Sequence, residues 1–489
     1  MRTKLSFLVI VLLVSLGAPV RAQTARCAGR EATLVGTRGP DVLVGTAGRD
    51  VIQARGGDDV IRGRGSNDLI CDGGGNDRVF GGAGADVLLN GPGDDLFAGG
   101  RGRDRLNGMR HRSYGVYGGG SDVFRGGPGS DRLFSGPDQQ GDVYAGGPGV
   151  DTLDLRFLAK GAVVDLVQGT VDGSGRATIA GVEDIYGTPF PDHLIGDDRP
   201  NTLFGGEAIG GFFGPTFPSD PISDRLEGGA GDDVLDGGSG DDTILGGEGS
   251  DVINDGLGVD TIAAGSGSDK VSTKFDCPED CEPPQQAFSG DVIGGGDGND
   301  RLLGGLGDDV IAGGPGSDRI MGGAGRDRLD GHGGSDRLKG GSETDTLDGG
   351  EGHDIADFSD ARGGVTVDLA AQSVAGASDD LLTAIEGVSG SAFDDSLLGS
   401  DVIDTLYGGD GNDVVRGLRG NDSLDGGDGE DELFGGDGDD NISGGVGPRY
   451  LGHNQADGRP DLQDGGEGFD ECWWSAFDTL VNCESIIVE

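Results

Sequence analysis

A carboxylate returns every nine residues along much of this chain. Asp41, Asp50, Asp59, Asp68, Asp77, Asp86, Asp95 and Asp104 keep one register, which Asp122 and Asp131 resume after a gap of two units. A second run holds Asp224, Asp233, Asp242, Asp251, Asp260 and Asp269. A third holds Asp291, Asp300, Asp309, Asp318, Asp327, Asp336, Asp345 and Asp354, and a fourth Asp395, Asp404, Asp413, Asp422, Asp431 and Asp440. Glycine surrounds each of them. In Gly81–Leu89, GGAGADVLL, glycine holds places 1, 2 and 4 and Asp86 holds place 6. Glycine accepts positive φ and leaves its carbonyl uncovered. A carboxylate beside bare carbonyls is an all-oxygen ligand set, which suits a hard divalent cation such as calcium. A metal-free coil with a solvated acidic edge would explain less, because it needs neither the Asp nor the turn glycines in fixed places.

Two residues after each Asp of the first run stands an apolar side chain: Leu43, Ile52, Ile61, Ile70, Val79, Leu88, Phe97 and Leu106. Places 1 to 6 therefore read as a tight turn, and places 7 to 9 as a short strand with place 8 pointing inward. One such strand cannot bury its apolar residue, whereas a stack of them can. With a turn after every strand, the chain winds into a flattened coil of two sheets. Two units complete a coil, so units 18 residues apart stack on the same edge.

The pattern G-G-x-G-x-D-x-U-x, with U apolar, resembles the haemolysin-type (RTX) calcium-binding repeat, and the resemblance covers roughly 300 residues of motif. It implies an all-β fold, a parallel β-roll or β-solenoid, with calcium as the cofactor held between stacked turns. Each ion takes backbone carbonyls and aspartate oxygens from units n and n+2, which here pairs Asp300 with Asp318, or Asp86 with Asp104. The runs allow up to roughly 20 such sites. Twenty divalent ions carry about +40, of the order of the formal net charge of −51 that 87 Asp and Glu against 36 Lys and Arg leave.

That charge excludes nucleic-acid binding through a basic surface, since phosphate repulsion dominates. It also opposes compaction unless something neutralises it. Arg2 and Lys4 precede an apolar run from Leu5 to Leu16, and small residues Val20 and Ala22 follow. This is the pattern of a cleavable secretory signal over residues 1–22, too short for a membrane span. The expected protein is secreted and extracellular, with no transmembrane segment. Members of the family exported by type I secretion generally lack such a signal, so the chain is similar to the Sec-exported, repeat-only type.

The breaks in the period divide the rest. An N-terminal cap and first repeat block are expected over 23–153, a spacer over 154–206, a second block over 207–271 with an insertion at 207–223, and a Cys-containing loop over 272–290. A third block spans 291–353, a second spacer 354–409, a fourth block 410–445 and a C-terminal cap 446–489. The two spacers are copies of each other at a constant offset of 203, with Glu183 matching Glu386. Their alternating apolar residues read as wider, metal-poor β-coils. MRHRSYGVY, residues 109–117, reads as a degenerate coil or a loop in place of one.

Six cysteines fit an oxidising compartment and allow 15 pairings. Proximity favours Cys277 with Cys281 and Cys472 with Cys483, leaving Cys27 for Cys71. The last pair requires the N-terminal segment to fold back over the sheet. A zinc reading of CPEDC lacks a second ligand pair nearby. No G-x-S-x-G or H-E-x-x-H motif or Walker loop is present, and none of His111, His193, His332, His353 and His453 lies within four residues of another. The reading is a non-enzymatic, calcium-binding repeat protein with a structural or surface-interaction role. The alternative is a calcium-dependent solenoid enzyme, or an adhesion module, acting on extracellular polysaccharide. An extracellular glycan or a cell surface is the partner class this leaves open.

Overall fold

The computed structural model describes residues 25–107, 120–136, 141–173, 175–206, 223–272, 290–376, 379–444, 462–467, 470–474, 479–483 and 485–488. The signal segment 1–22, residues 109–117, most of the insertion at 207–223, and both Cys277 and Cys281 lie outside these residues. The described residues form strands and turns without a helix, so among them no helix is long and apolar enough to cross a membrane.

Successive units alternate between two parallel sheets. In one sheet Leu302 pairs with Ile320 and Ile320 with Leu338. In the other Ile293 pairs with Ile311, Ile311 with Leu329 and Leu329 with Leu347. Each step is 18 residues. The place-8 side chains of both sheets meet in one continuous core, in which Ile52, Ile61, Leu88, Phe97, Ile320 and Leu329 have no exposed surface. Burying each such side chain contributes roughly 1.5–3 kcal/mol. Phe97, Phe124 and Tyr144 stack along this core with ring centroids 5.4 and 5.5 Å apart.

Many strands are longer than the three residues the motif suggests. Arg319–Ala324 and Val292–Asp297 run six residues, through places 1 to 3 of the next unit. The glycines there carry no side chain, so backbone pairing continues through the turn, as between Gly305 and Gly323.

The spacers differ from a widened coil by an antiparallel detour. Val163–Asp165 pairs antiparallel with Thr170–Asp172, which pairs antiparallel with Arg176–Ala180. The outer members rejoin the parallel sheet at Val143–Ala145 and His193–Ile195. The opposite sheet continues without interruption through Thr152–Asp154, Asp184–Tyr186 and Thr202–Gly206. Val365–Asp368, Ser373–Gly376 and Leu381–Thr383 repeat the detour in the second copy. Short turns between alternating strands allow this reversal, which a nine-residue unit has no residues to make.

The N-terminal segment does fold back. Arg26–Cys27 and Arg30–Glu31 form a small hairpin, and Cys27 is buried beside Val51 and Leu69. Cys27 is bonded to Cys71 with their Cα atoms 5.6 Å apart. At the other end Cys472 takes the inward place, stacked on Ile442, and is bonded to Cys483. The chain-entropy relation assigns these loops about 4 and about 3 kcal/mol respectively. Reduction is therefore expected to loosen the two ends first, read as faster amide exchange at residues 26–53 than at the central coils. Uniform loosening along the whole roll would contradict the staple assignment.

Candidate metal centre

The repeat aspartates line the turns between coils. Asp318 has 1% of its surface exposed. Its Oδ1 accepts the Asp300 N–H at 2.8 Å, and its own N–H donates to Asp336 Oδ1 at 2.8 Å. Each aspartate thus ties its coil to the one 18 residues earlier. The second oxygen is different: Asp318 Oδ2 is buried and has no hydrogen-bond partner.

The same orphaned Oδ2 recurs at Asp59, Asp68, Asp77, Asp86, Asp95, Asp104 and Asp131 in the first block. It recurs at Asp224, Asp233, Asp242, Asp251 and Asp269 in the second, and at Asp300, Asp309, Asp327, Asp336, Asp345 and Asp354 in the third. Asp413, Asp422 and Asp440 carry it in the fourth. A buried carboxylate oxygen without a donor costs several kcal/mol if left so. A row of them is sustainable only with a cation or a proton on each.

The glycines shape the space. A Cβ on Gly295, at place 1, would lie 2.5 Å from Asp300 Oδ2 and 2.5 Å from the Gly313 carbonyl oxygen. The carboxylate of one unit and the carbonyl of the unit two further on therefore face one gap. At places 2 and 4 the backbone has positive φ, +116° at Gly323 and +133° at Gly325. The atoms nearest the gap at Gly295 are a carboxylate and a carbonyl oxygen, both hard donors, and glycine puts no side chain into it. The residues present fit calcium, which takes six to eight oxygens in a flexible shell.

Five predicted ligands stand in the same columns but with the second oxygen engaged, four of them by the residue at place 2. Asp41 Oδ2 accepts Thr37 N–H and Oγ1, and Asp50 Oδ2 accepts Thr46 N–H and Oγ1. Asp404 Oδ2 accepts Ser400 N–H and Oγ in the same way, whereas Asp395 Oδ2 accepts Ser391 N–H and its Oδ1 accepts the Ser391 hydroxyl. In each of these units place 2 is Thr or Ser rather than Gly, and that residue supplies the Oδ2 donor that the other cradles lack, through its N–H and, at Asp41, Asp50 and Asp404, its hydroxyl as well. Asp122 Oδ2 accepts Asn90 Nδ2 at 2.7 Å. Asp260, Asp291 and Asp431 are buried, each with Oδ1 accepting the N–H of the preceding coil's aspartate.

Some oxygens of this row fall outside the thirty aspartates of the runs. Asp151, the last of the first block's register, also has an orphaned Oδ2. In both spacers a glutamate takes the next coil's part, with Asp151 N–H donating to Glu183 Oε2 and Asp354 N–H to Glu386 Oε2. Asp72 and Asp255 stand at place 1, where the motif has glycine. A non-glycine residue at that place was the visible signal for them.

Burial raises the pKa of the aspartates with an orphaned Oδ2, backbone hydrogen bonds hold it down, and neighbouring aspartates add to the rise. Asp95 reaches about 8, Asp224 about 9, and Asp309 and Asp413 about 7. The metal-free folded form therefore binds more protons than the unfolded chain, whose aspartates titrate near 3.8. Its stability is present below about pH 4 and is lost as pH rises through 6 to 9. In excess chelator, acidification from pH 8 to pH 5 is expected to restore part of the β-sheet circular dichroism. With calcium present the sign reverses, and the calcium midpoint of folding is expected to rise on acidification. A chelated chain equally unfolded at both pH values would contradict the buried carboxylate rows.

Asp318→Ala removes one Oδ2 and one inter-coil hydrogen bond. The expected result is loss of about one or two calcium ions by titration, with local disorder confined to neighbouring coils. Loss of all cooperative folding from this one change would show that the coils do not act independently.

Fold and cradle together define a class: a parallel β-roll of stacked turns with a cation-binding oxygen row between coils. The RTX calcium-binding nonapeptide repeat matches residues 35–70, 72–106, 117–153, 186–208, 221–253, 236–271, 294–329, 321–356, 389–424 and 417–451. These matches span more than half of the chain, and the chain belongs to this family of RTX calcium-binding repeats. Calcium is the ion that such repeats bind. No curated protein matches the chain.

Proposed function

We propose that this is an exported protein that folds when it meets calcium outside the cell and then serves as a rigid scaffold or surface-interaction element. The observation that carries the reading is the row of buried, donor-less Oδ2 atoms between coils. Inside a cell, where free calcium is scarce, such a chain stays unfolded and translocation-competent. Outside, ion binding supplies the free energy of folding. The apolar run before Ala22 and the disulfides at both ends support export. The thirty aspartates of the runs are the proposed ligand set, with Asp41, Asp50, Asp395 and Asp404 as its weakest members because a hydroxyl already engages each of them. The test has two parts: the N-terminal residue of protein recovered from culture medium, expected to be Gln23, and β-structure gained in calcium but only weakly in magnesium, which demands a tighter octahedral shell. Retention in the cytoplasm, or equal response to both ions, would overturn the reading.

A binding role for acidic extracellular polymer has one observation in its favour. Lys270, Arg301, Arg319 and Arg337 are in register on four successive strands of one sheet. The result is a basic ladder on an otherwise acidic molecule. A glycan panel read with and without calcium tests it: calcium-dependent retention of acidic glycans supports adhesion, and shortened products would instead support catalysis.

A further inference from the structure

Place 1 of the repeat is lined by oxygen. A Cβ on Gly81 would lie 2.5 Å from Asp86 Oδ2 and 2.6 Å from the Gly99 carbonyl oxygen. Any side chain there enters the gap between coils. Ala54 and Ala264 occupy the place with a methyl group and are fully buried. Asp72 and Asp255 occupy it with a carboxylate, and each is 1% exposed.

These two aspartates, 183 residues apart in sequence, adopt the same arrangement. The Oδ1 of each accepts the N–H of the glycine that follows, Gly73 at 2.5 Å and Gly256 at 2.6 Å. The Oδ2 of each is buried without a hydrogen-bond partner. Each meets the place-6 aspartate of its own unit and that of the next coil. The clusters are Asp72, Asp77 and Asp95, and Asp255, Asp260 and Asp291, all buried, with one carboxylate oxygen of each residue within 4.8 Å of the others. Among the described residues these are the two places where three carboxylates gather so. Among the described residues no Arg or Lys pairs with any of the six.

We propose that the two clusters form a separate class of cation site, which takes calcium more tightly than the regular inter-coil cradles and prefers a trivalent lanthanide to calcium. The proposal rests on the reading that the repeats bind calcium. A regular cradle joins the place-6 carboxylates of two coils to backbone carbonyls. A third carboxylate adds a full charge at the same gap, and ligand charge count is the main lever on affinity for hard cations. Position adds a consequence. Asp260 and Asp291 are 31 residues apart where the regular step is 18, yet the Asp260 N–H still donates to Asp291 Oδ1 at 2.8 Å. An ion held by Asp255, Asp260 and Asp291 ties the coils on either side of that interruption, and it fills before the regular sites do.

The test is a chelator-competition titration of the full chain with calcium, repeated with terbium. The wild type is expected to show two ions bound about tenfold or more tightly than the rest. Asp72→Gly and Asp255→Gly restore the regular cradle. Each is expected to move one ion into the weaker class, and the double variant both. Asp72→Asn and Asp255→Asn keep the side-chain shape and serve if a glycine variant folds poorly. In saturating calcium the circular dichroism of every variant reports whether the roll has formed. A single affinity class in the wild type, or two tight ions persisting in the double variants, would overturn the proposal while leaving regular calcium binding intact. A wild-type chain that takes up no calcium would overturn the calcium reading itself.

Discussion

In millimolar calcium the chain is expected to give the far-UV circular dichroism of β-sheet, and in excess chelator that of a coil. The expected change is nearly complete, because the two costs of folding without metal are both large. The chain carries a formal net charge of −51, and folding buries row after row of aspartate oxygens without donors. Its 106 glycines must also give up more backbone freedom than any other residue type. Sodium chloride at high concentration screens the net charge but ligates no Oδ2. It is therefore expected to compact the chelated chain without restoring the sheet signal. Equal β-content in calcium and in chelator would refute the dependence, and full recovery in sodium chloride would reduce it to charge screening.

Gly323→Val is expected to damage the roll severely. Gly323 has φ of +116°, and a Cβ there would overlap the Gly305 carbonyl oxygen. A β-branched residue meets both the forbidden backbone region and the coil beneath it. The expected loss is about 3 kcal/mol or more, concentrated on the coils from Arg301 to Ser342. Gly363→Ala is the control, since nothing lies within 4 Å of its Cβ position. Calcium titration and limited proteolysis read the difference. Wild-type protease resistance at these coils in the valine variant would mean that the turn glycines are dispensable.

The period carried most of the fold. A carboxylate every nine residues with an aliphatic residue two places on leaves one way to stack, and Ile320 on Leu302 under Leu338 is that stacking. The pairing of Asp300 with Asp318 was legible for the same reason. What each oxygen does was less legible. Thr37 and Ser400 look like ordinary variants of a turn residue, but their hydroxyls complete the shell that other cradles leave open. Asp72 and Asp255 were hidden by abundance, because an extra aspartate in an aspartate-rich chain carries no contrast until its place in the unit is read. The spacers kept alternation, which strands of either direction share. The antiparallel reversal at Val163–Asp165 and Thr170–Asp172 depends on turns that the alternation does not encode.

Anomalous diffraction from crystals grown in calcium would locate cations between the coils of the roll. Two rows of peaks are expected along the edges of the roll, each within calcium–oxygen distance of an orphaned Oδ2 such as that of Asp86, Asp300 or Asp318. Weak or absent peaks are expected at Asp41, Asp50, Asp395 and Asp404, where Thr or Ser already engages Oδ2. A folded roll with no peaks between its coils, or with peaks only on the outer faces, would contradict calcium ligation by the repeat aspartates.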